Sequence, residues 1–153
     1  MQSLPHLYRV SAKAATAGDV ELSATGLVPM RSASPAEFDG PGDRWSPETL
    51  LVGAVADCLI LTFRAVAKAS NVPWVSLECD ARGTLDRVER VTQFVRIDVH
   101  ARLTVPPGTN PELARMALVK AEKNCLISNS LKAAVVLETD VTVAAEAELT
   151  VST

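Results

Sequence analysis

The sequence predicts an α+β fold in which a mostly antiparallel sheet wraps long, apolar central helices. Three observations carry this. Segments with a two-residue hydrophobic period occur in runs rather than in strict alternation with helices. Two stretches carry the residue grammar of a helix start, and the first of these helices is apolar on nearly every side, as a buried helix is. The chain has 153 residues, of which 48% are hydrophobic, enough for one domain with a real core. Residues 1–153 therefore read as a single domain.

The elements follow in order. Residues 7–14 and 20–24 flank Thr16-Ala-Gly-Asp19, whose residue types suit a turn, so the chain opens on a strand hairpin. Residues 29–44 hold three of the nine prolines and two glycines, and read as an extended loop feeding a helix. Loops of this length inside a compact domain are often functional. In Trp45-Ser-Pro-Glu-Thr49, Ser46 is a good N-cap, Pro47 suits the first helical position, and Glu48 sets a negative charge at the positive end of the dipole. From Thr49 to Phe63 the only charge is Asp57. The stretch reads as too short and too interrupted for a bilayer, which takes about 20 apolar residues.

Asn71-Val-Pro73 ends the helix. Val75, Leu77, Cys79 and Ala81 then alternate with Ser76, Glu78, Asp80 and Arg82, the period of a half-buried strand with Cys79 turned inward. A partner strand follows, with Val91, Val95, Ile97, Val99, Ala101, Leu103 and Val105 on one side and His100 on the polar side. Asn110-Pro-Glu112 repeats the cap, proline and acid grammar, and starts an amphipathic helix running to about Asn124, with Leu113, Met116, Ala117 and Ala121 as its apolar positions. Cys125 sits at its end. Residues 126–132 make a short helical or turn segment, and residues 135–149 alternate again as a closing strand. Leu50, Leu51, Leu59, Ile60 and Leu61 point in too many directions for one small domain to cover, so a homodimer that packs the central helices together is expected. A charge at Leu59 should then leave no folded protein.

Composition excludes several functions. Fifteen basic and 18 acidic residues give a formal charge of −3 with no basic block, which argues against nucleic acid. The N-terminal residues lack the charged start and apolar run of a signal peptide, so a cytoplasmic location is expected. Three cysteines, at 58, 79 and 125, contain no CxxC pair. His6 and His100 are the only histidines, and neither is placed for a Cys/His metal site or a Cys–His nucleophile. No metal and no cofactor is expected. A cysteine in an apolar helix or strand is ordinarily a small inert core residue, and Cys79 is read so.

Two segments change the reading of the other cysteines. Ser46-Pro-Glu-Thr-Leu-Leu-Val-Gly-Ala-Val-Ala-Asp-Cys58, followed by Asn124-Cys-Leu-Ile-Ser-Asn129, resembles the OsmC/Ohr family of thiol-dependent peroxidases, and element order agrees along nearly the whole chain. The resemblance implies an intertwined homodimer with sites at the subunit interface, and reduction of organic hydroperoxides in an oxidative stress response. Cys58 would be the peroxidatic residue and Cys125 the resolving one, recycled by an external dithiol, lipoyl-type in this family. A peroxidatic cysteine must be a thiolate, which needs positive charge or hydrogen bonds nearby because burial alone raises its pKa.

Glu48 belongs to the same motif. It lies ten residues before Cys58, about 15 Å of helical rise, so it serves catalysis only from a partner subunit. Family members pair this glutamate with an arginine from the N-terminal hairpin or from the loop before the helix. Here those places read Thr16-Ala-Gly-Asp19 and Ala36-Glu-Phe-Asp-Gly40. Arg44 and Arg31 are the substitutes, and Arg44 is favoured because it abuts the helix start. Trp45 and Phe38 are candidates to line an apolar substrate pocket, although core packing is the commoner role for such residues. An alternative function is a protein of the same fold that binds a small apolar or thiol-reactive ligand, or senses redox state, without efficient turnover.

Overall fold

A computed structural model describes residues 1–146. Positions 147–149 of the expected closing strand lie outside the described residues. The chain packs as two compact units that part between Leu51 and Val52, inside the first helix.

In the first unit, β1 (Ser11–Lys13), β2 (Val20–Ser23) and β3 (Met30–Ser32) form an antiparallel three-stranded sheet in that order. The expected hairpin is β1–β2, turned at Gly18 with φ 92, a conformation glycine adopts without steric cost. β3 falls in the stretch expected to be an extended loop. That stretch is instead folded, with a 3-10 turn over Ala36–Phe38 and an Ala33 N–H that donates to the Trp45 carbonyl at 3.0 Å. At Gly40 the backbone passes so close to Ser34 that a Cβ would lie 1.6 Å from its carbonyl oxygen, so only glycine fits.

Helix α1 (Pro47–Ala69) starts and stops where local chemistry demands. The Ser46 hydroxyl accepts the Thr49 N–H at 3.1 Å, and Thr49 Oγ1 accepts the Ser46 N–H at 2.8 Å, a reciprocal cap that satisfies two orphan donors. At the other end Asn71 takes a left-handed φ of 52, while the N–H groups of Val72 and Asn71 reach back to the carbonyls of Ala67 and Lys68. This is a Schellman stop with asparagine in the glycine position. At 23 residues, with a mean hydropathy of 2.0 over its most apolar window, α1 is long and apolar enough to cross a membrane. The expectation that it was too short is therefore corrected. One stripe of it, Val55, Leu59, Phe63, Val66 and Ala67, packs into protein.

That stripe belongs to the second unit, where β4 (Ser76–Val88), β5 (Val91–Val105) and β6 (Ala134–Val143) form a sheet with β5 central. β4 and β5 pair antiparallel, and β6 pairs parallel to β5 after a crossover through α2 (Pro111–Lys123). Three of the four strand pairings among the described residues are thus antiparallel. Ile97, Val99, Ala101, Leu103 and Val105 put one whole face of β5 into the core, and burying each larger aliphatic is worth about 1.5–3 kcal/mol. Phe63 meets Trp74 edge-on at 5.4 Å. Gly83 allows α1 to approach β4, since a Cβ there would lie 2.6 Å from Val52 Cγ2.

Three expectations are corrected in this unit. Val75 is exposed and precedes β4, which runs on to a turn at Glu89–Arg90, both with positive φ. The closing strand ends at Val143. Helix α2 buries Ala114, Ala117, Leu118 and Ala121, leaving Leu113 and Met116 more than half exposed. The stripe beginning at Leu113 also carries Lys120, which favours water, and the alanine stripe lets the helix lie closer to the sheet.

Candidate active site

Cys58 lies in the middle of α1, half-buried, with Thr62 one turn further along the same face. The Thr62 hydroxyl oxygen is 3.7 Å from Cys58 Sγ. A second segment, the turn that follows α2, supplies the remaining groups. Its conformation is fixed by its own hydrogen bonds: Asn129 N–H to the Cys125 carbonyl at 3.0 Å, the Ser130 hydroxyl to the Leu126 carbonyl at 2.7 Å, and the Asn129 side-chain amide to the Lys123 carbonyl at 3.1 Å. These bonds leave the N–H groups of Leu126 and Ile127 to act on the Cys58 sulfur, with the Cys125 thiol beside them.

The electrostatics separate the two sulfurs. Burial is the largest single influence on Cys58 and opposes ionisation, but it is outweighed by hydrogen bonds from the Ile127 main chain, the Cys125 thiol, the Thr62 hydroxyl and the Leu126 main chain. The Cys58 thiol is therefore held below its ordinary range. Cys125 is fully buried, and burial pushes it up; Ser128 pulls it down through its hydroxyl and N–H, while the hydrogen bond and charge of Cys58 push it higher. Net, it is raised. Cys58 ionises first and Cys125 stays a thiol at the same pH. Cys79, half-buried on β4, is pushed up to about 11, chiefly by burial, with Asp80 and Glu78 adding to the effect and Arg102 opposing it. Burial therefore favours its neutral thiol form.

The other candidate residues stand elsewhere. Glu48 occupies the first turn of α1, and its Oε2 is buried with no hydrogen-bond partner in the structure. Arg44 is occupied by two carboxylates, Asp19 at 3.0 Å and Asp43 at 3.1 Å. Arg31 is exposed on β3. Phe38 and Trp45 are each more than half exposed, so core packing, the commoner role, is not theirs. His100 lies on the polar side of β5, with Nε2 2.6 Å from Asp140 Oδ2 and Nδ1 3.3 Å from the Arg102 guanidinium. Among the described residues no group of three or more His, Cys, Asp or Glu side chains is gathered to hold a metal ion.

Sequence reasoning missed Thr62, Ser128 and the two N–H groups. Thr62 had a signal, since residues four apart on a helix are neighbours. The main-chain donors had none, because every residue but proline carries one.

Comparison with known proteins agrees with this architecture. Residues 40–140 match the family described as OsmC-like protein. A curated relative, the uncharacterized protein YmaD of Bacillus subtilis, is 26% identical over 141 residues, covering 90% of this chain and 94% of its own. An OsmC-like protein of unknown function from Vibrio cholerae superposes with a TM-score of 0.82 at 16% identity, covering 89% of this chain and 100% of that one. An organic hydroperoxide resistance protein from Elizabethkingia anophelis, solved with thiocyanate bound, gives 0.73 at 20% identity over 94% of this chain and 100% of its own. The chain belongs to the OsmC-like protein family.

The acidity order is directly measurable. Treating the native protein with iodoacetamide at neutral pH and mapping the peptides by mass should find Cys58 modified first, with Cys125 slower and Cys79 unmodified until the pH approaches about 11. Faster labelling of Cys79 or Cys125 contradicts the assignment.

Proposed function

We propose that this protein reduces organic hydroperoxides to alcohols with two cysteines and no cofactor, working as a cytoplasmic homodimer. The observation that carries the reading is the pairing of a thiol held below its ordinary pKa, Cys58, with a second thiol held above it, Cys125. The similarity to the organic hydroperoxide resistance protein of Elizabethkingia anophelis supports the substrate class. In the first step the Cys58 thiolate attacks the terminal peroxide oxygen, the O–O bond breaks, and the alkoxide leaves while Cys58 becomes a sulfenic acid. Cys125, still protonated, gives its proton to the alkoxide. The resulting Cys125 thiolate then attacks the Cys58 sulfur and expels hydroxide, which a solvent proton converts to water. An external dithiol, of lipoyl type on this reading, takes the disulfide back to two thiols and is itself oxidised to a disulfide.

In the dimer, Glu48 serves the partner's cysteine pair, and its unpartnered Oε2 gains a hydrogen bond there. Phe38 and Trp45, exposed aromatics in the single chain, contact the apolar part of the peroxide, and Arg44 is the cation at the entrance. What supports the dimer is the incomplete cover of α1. A single stripe is buried, and Leu61 remains 53% exposed in the middle of an apolar helix. Leu59, at 2% exposure, belongs to the chain's own core, so a charge there disrupts the fold whether or not a dimer forms.

Peroxide consumption with dihydrolipoamide as reductant tests the chemistry. Cys58→Ser should fall to the uncatalysed background. Cys125→Ser should lose steady-state turnover while still oxidising Cys58 once. Equal rates in wild type and both variants rule the reaction out. For the assembly, Leu61→Glu is expected to yield a folded monomer by light scattering and circular dichroism, against a wild-type dimer; a wild-type protein that is itself monomeric contradicts the dimer.

A further inference from the structure

Thr62 Oγ1 and Cys58 Sγ, 3.7 Å apart, form the one contact to the reacting sulfur in which a side-chain hydroxyl takes part among the described residues. A threonine inside a helix commonly turns its hydroxyl back onto the main-chain carbonyl four residues earlier. Here the partner it takes is the side chain of that earlier residue. The remaining groups that act on the sulfur differ in kind. Two are main-chain N–H groups, of Ile127 and Leu126, and the third is the Cys125 thiol, which is both titratable and consumed when the disulfide forms. Thr62 is neither titratable nor consumed, so its hydroxyl is available each time Cys58 returns to the thiolate. Thiolates are ordinarily stabilised by a neighbouring lysine, arginine or protonated histidine. Among the described residues of the single chain the groups acting on Cys58 are uncharged donors, and Arg44, beside the helix start, has its guanidinium between Asp19 and Asp43.

We propose that Thr62 is a positioning residue for the Cys58 thiolate, donating its hydroxyl proton to the sulfur across the 3.7 Å contact. The proposal rests on Cys58 being the reacting sulfur. A hydroxyl four residues along a rigid helix is preorganised for this, because neither end of the contact needs a loop to move. A hydrogen bond to an ionised acceptor is also stronger than one to a neutral acceptor, so the contact favours the thiolate over the thiol.

The test is the pH profile of Cys58 alkylation by iodoacetamide in the full-length protein, read by peptide mass, for wild type, Thr62→Val and Thr62→Ser. Thr62→Val keeps the shape and removes the donor. Its profile should move to higher pH, with the rate at neutral pH falling about three- to tenfold, and Thr62→Ser should restore the wild-type profile. Melting temperatures of the variants serve as the folding control, and Thr62→Ala replaces Thr62→Val if the latter does not fold. An unmoved profile, or a displacement that Thr62→Ser does not reverse, overturns the proposal. Alkylation needs no peroxide, so the two readings fail separately: a displaced profile in a protein that consumes no hydroperoxide removes the peroxidase and leaves Thr62 in its role.

Discussion

The Cys58 sulfur is pulled in two directions, and the second unit is arranged around that contest. Burial in an apolar helix disfavours the thiolate, while four hydrogen-bonding groups favour it and together prevail. Among the described residues of the single chain, the groups acting on that sulfur carry no positive charge to stabilise an anion. The solution is to bring polar main chain to the sulfur from another part of the fold, where the N–H groups of Leu126 and Ile127 have no main-chain partner among the described residues.

That delivery depends on topology. β5 commits one full face to the core, and the chain must then cross from its end to the start of β6, which lies parallel beside it. Helix α2 makes the crossing. Ala114, Ala117 and Ala121 on its buried stripe allow a close approach to the sheet, and its C-terminal end hands over to Cys125 and the turn behind it. Gly83 does a similar service at β4, which α1 approaches so closely that a Cβ there would meet Val52. The two sulfurs, far apart in the chain, meet because two helices are packed against one three-stranded sheet.

Much of this was legible in the residues. The pairs Ser46-Pro47 and Asn110-Pro111 mark both helix starts, and in each the capping side chain accepts a main-chain N–H from the first turn. The alternation through β4 and β5 gave the strands and the direction of Cys79. What escaped has physical reasons. Adjacent stripes of α2 differ by about a 100° rotation, so a pattern containing Leu113, Ala114, Met116, Ala117 and Leu118 fits either face. The turn at Glu89–Arg90 adopts positive φ at both residues without the glycine or asparagine that usually announces it. β3 is three residues long, too short for any period. At the candidate site, the family resemblance singled out Cys58 and Cys125, whose thiols the fold sets beside each other, whereas the donors that distinguish their acidities are mostly main chain and leave no mark in a sequence.

The central claim is that Cys58 is oxidised first and resolved by Cys125 of the same chain. The most direct measurement is peptide mapping of the protein after one equivalent of an organic hydroperoxide, without reductant. The account predicts a single Cys58–Cys125 disulfide within the chain and an untouched Cys79. Recovery of Cys58 as a free thiol, or linked to any residue other than Cys125, would contradict it.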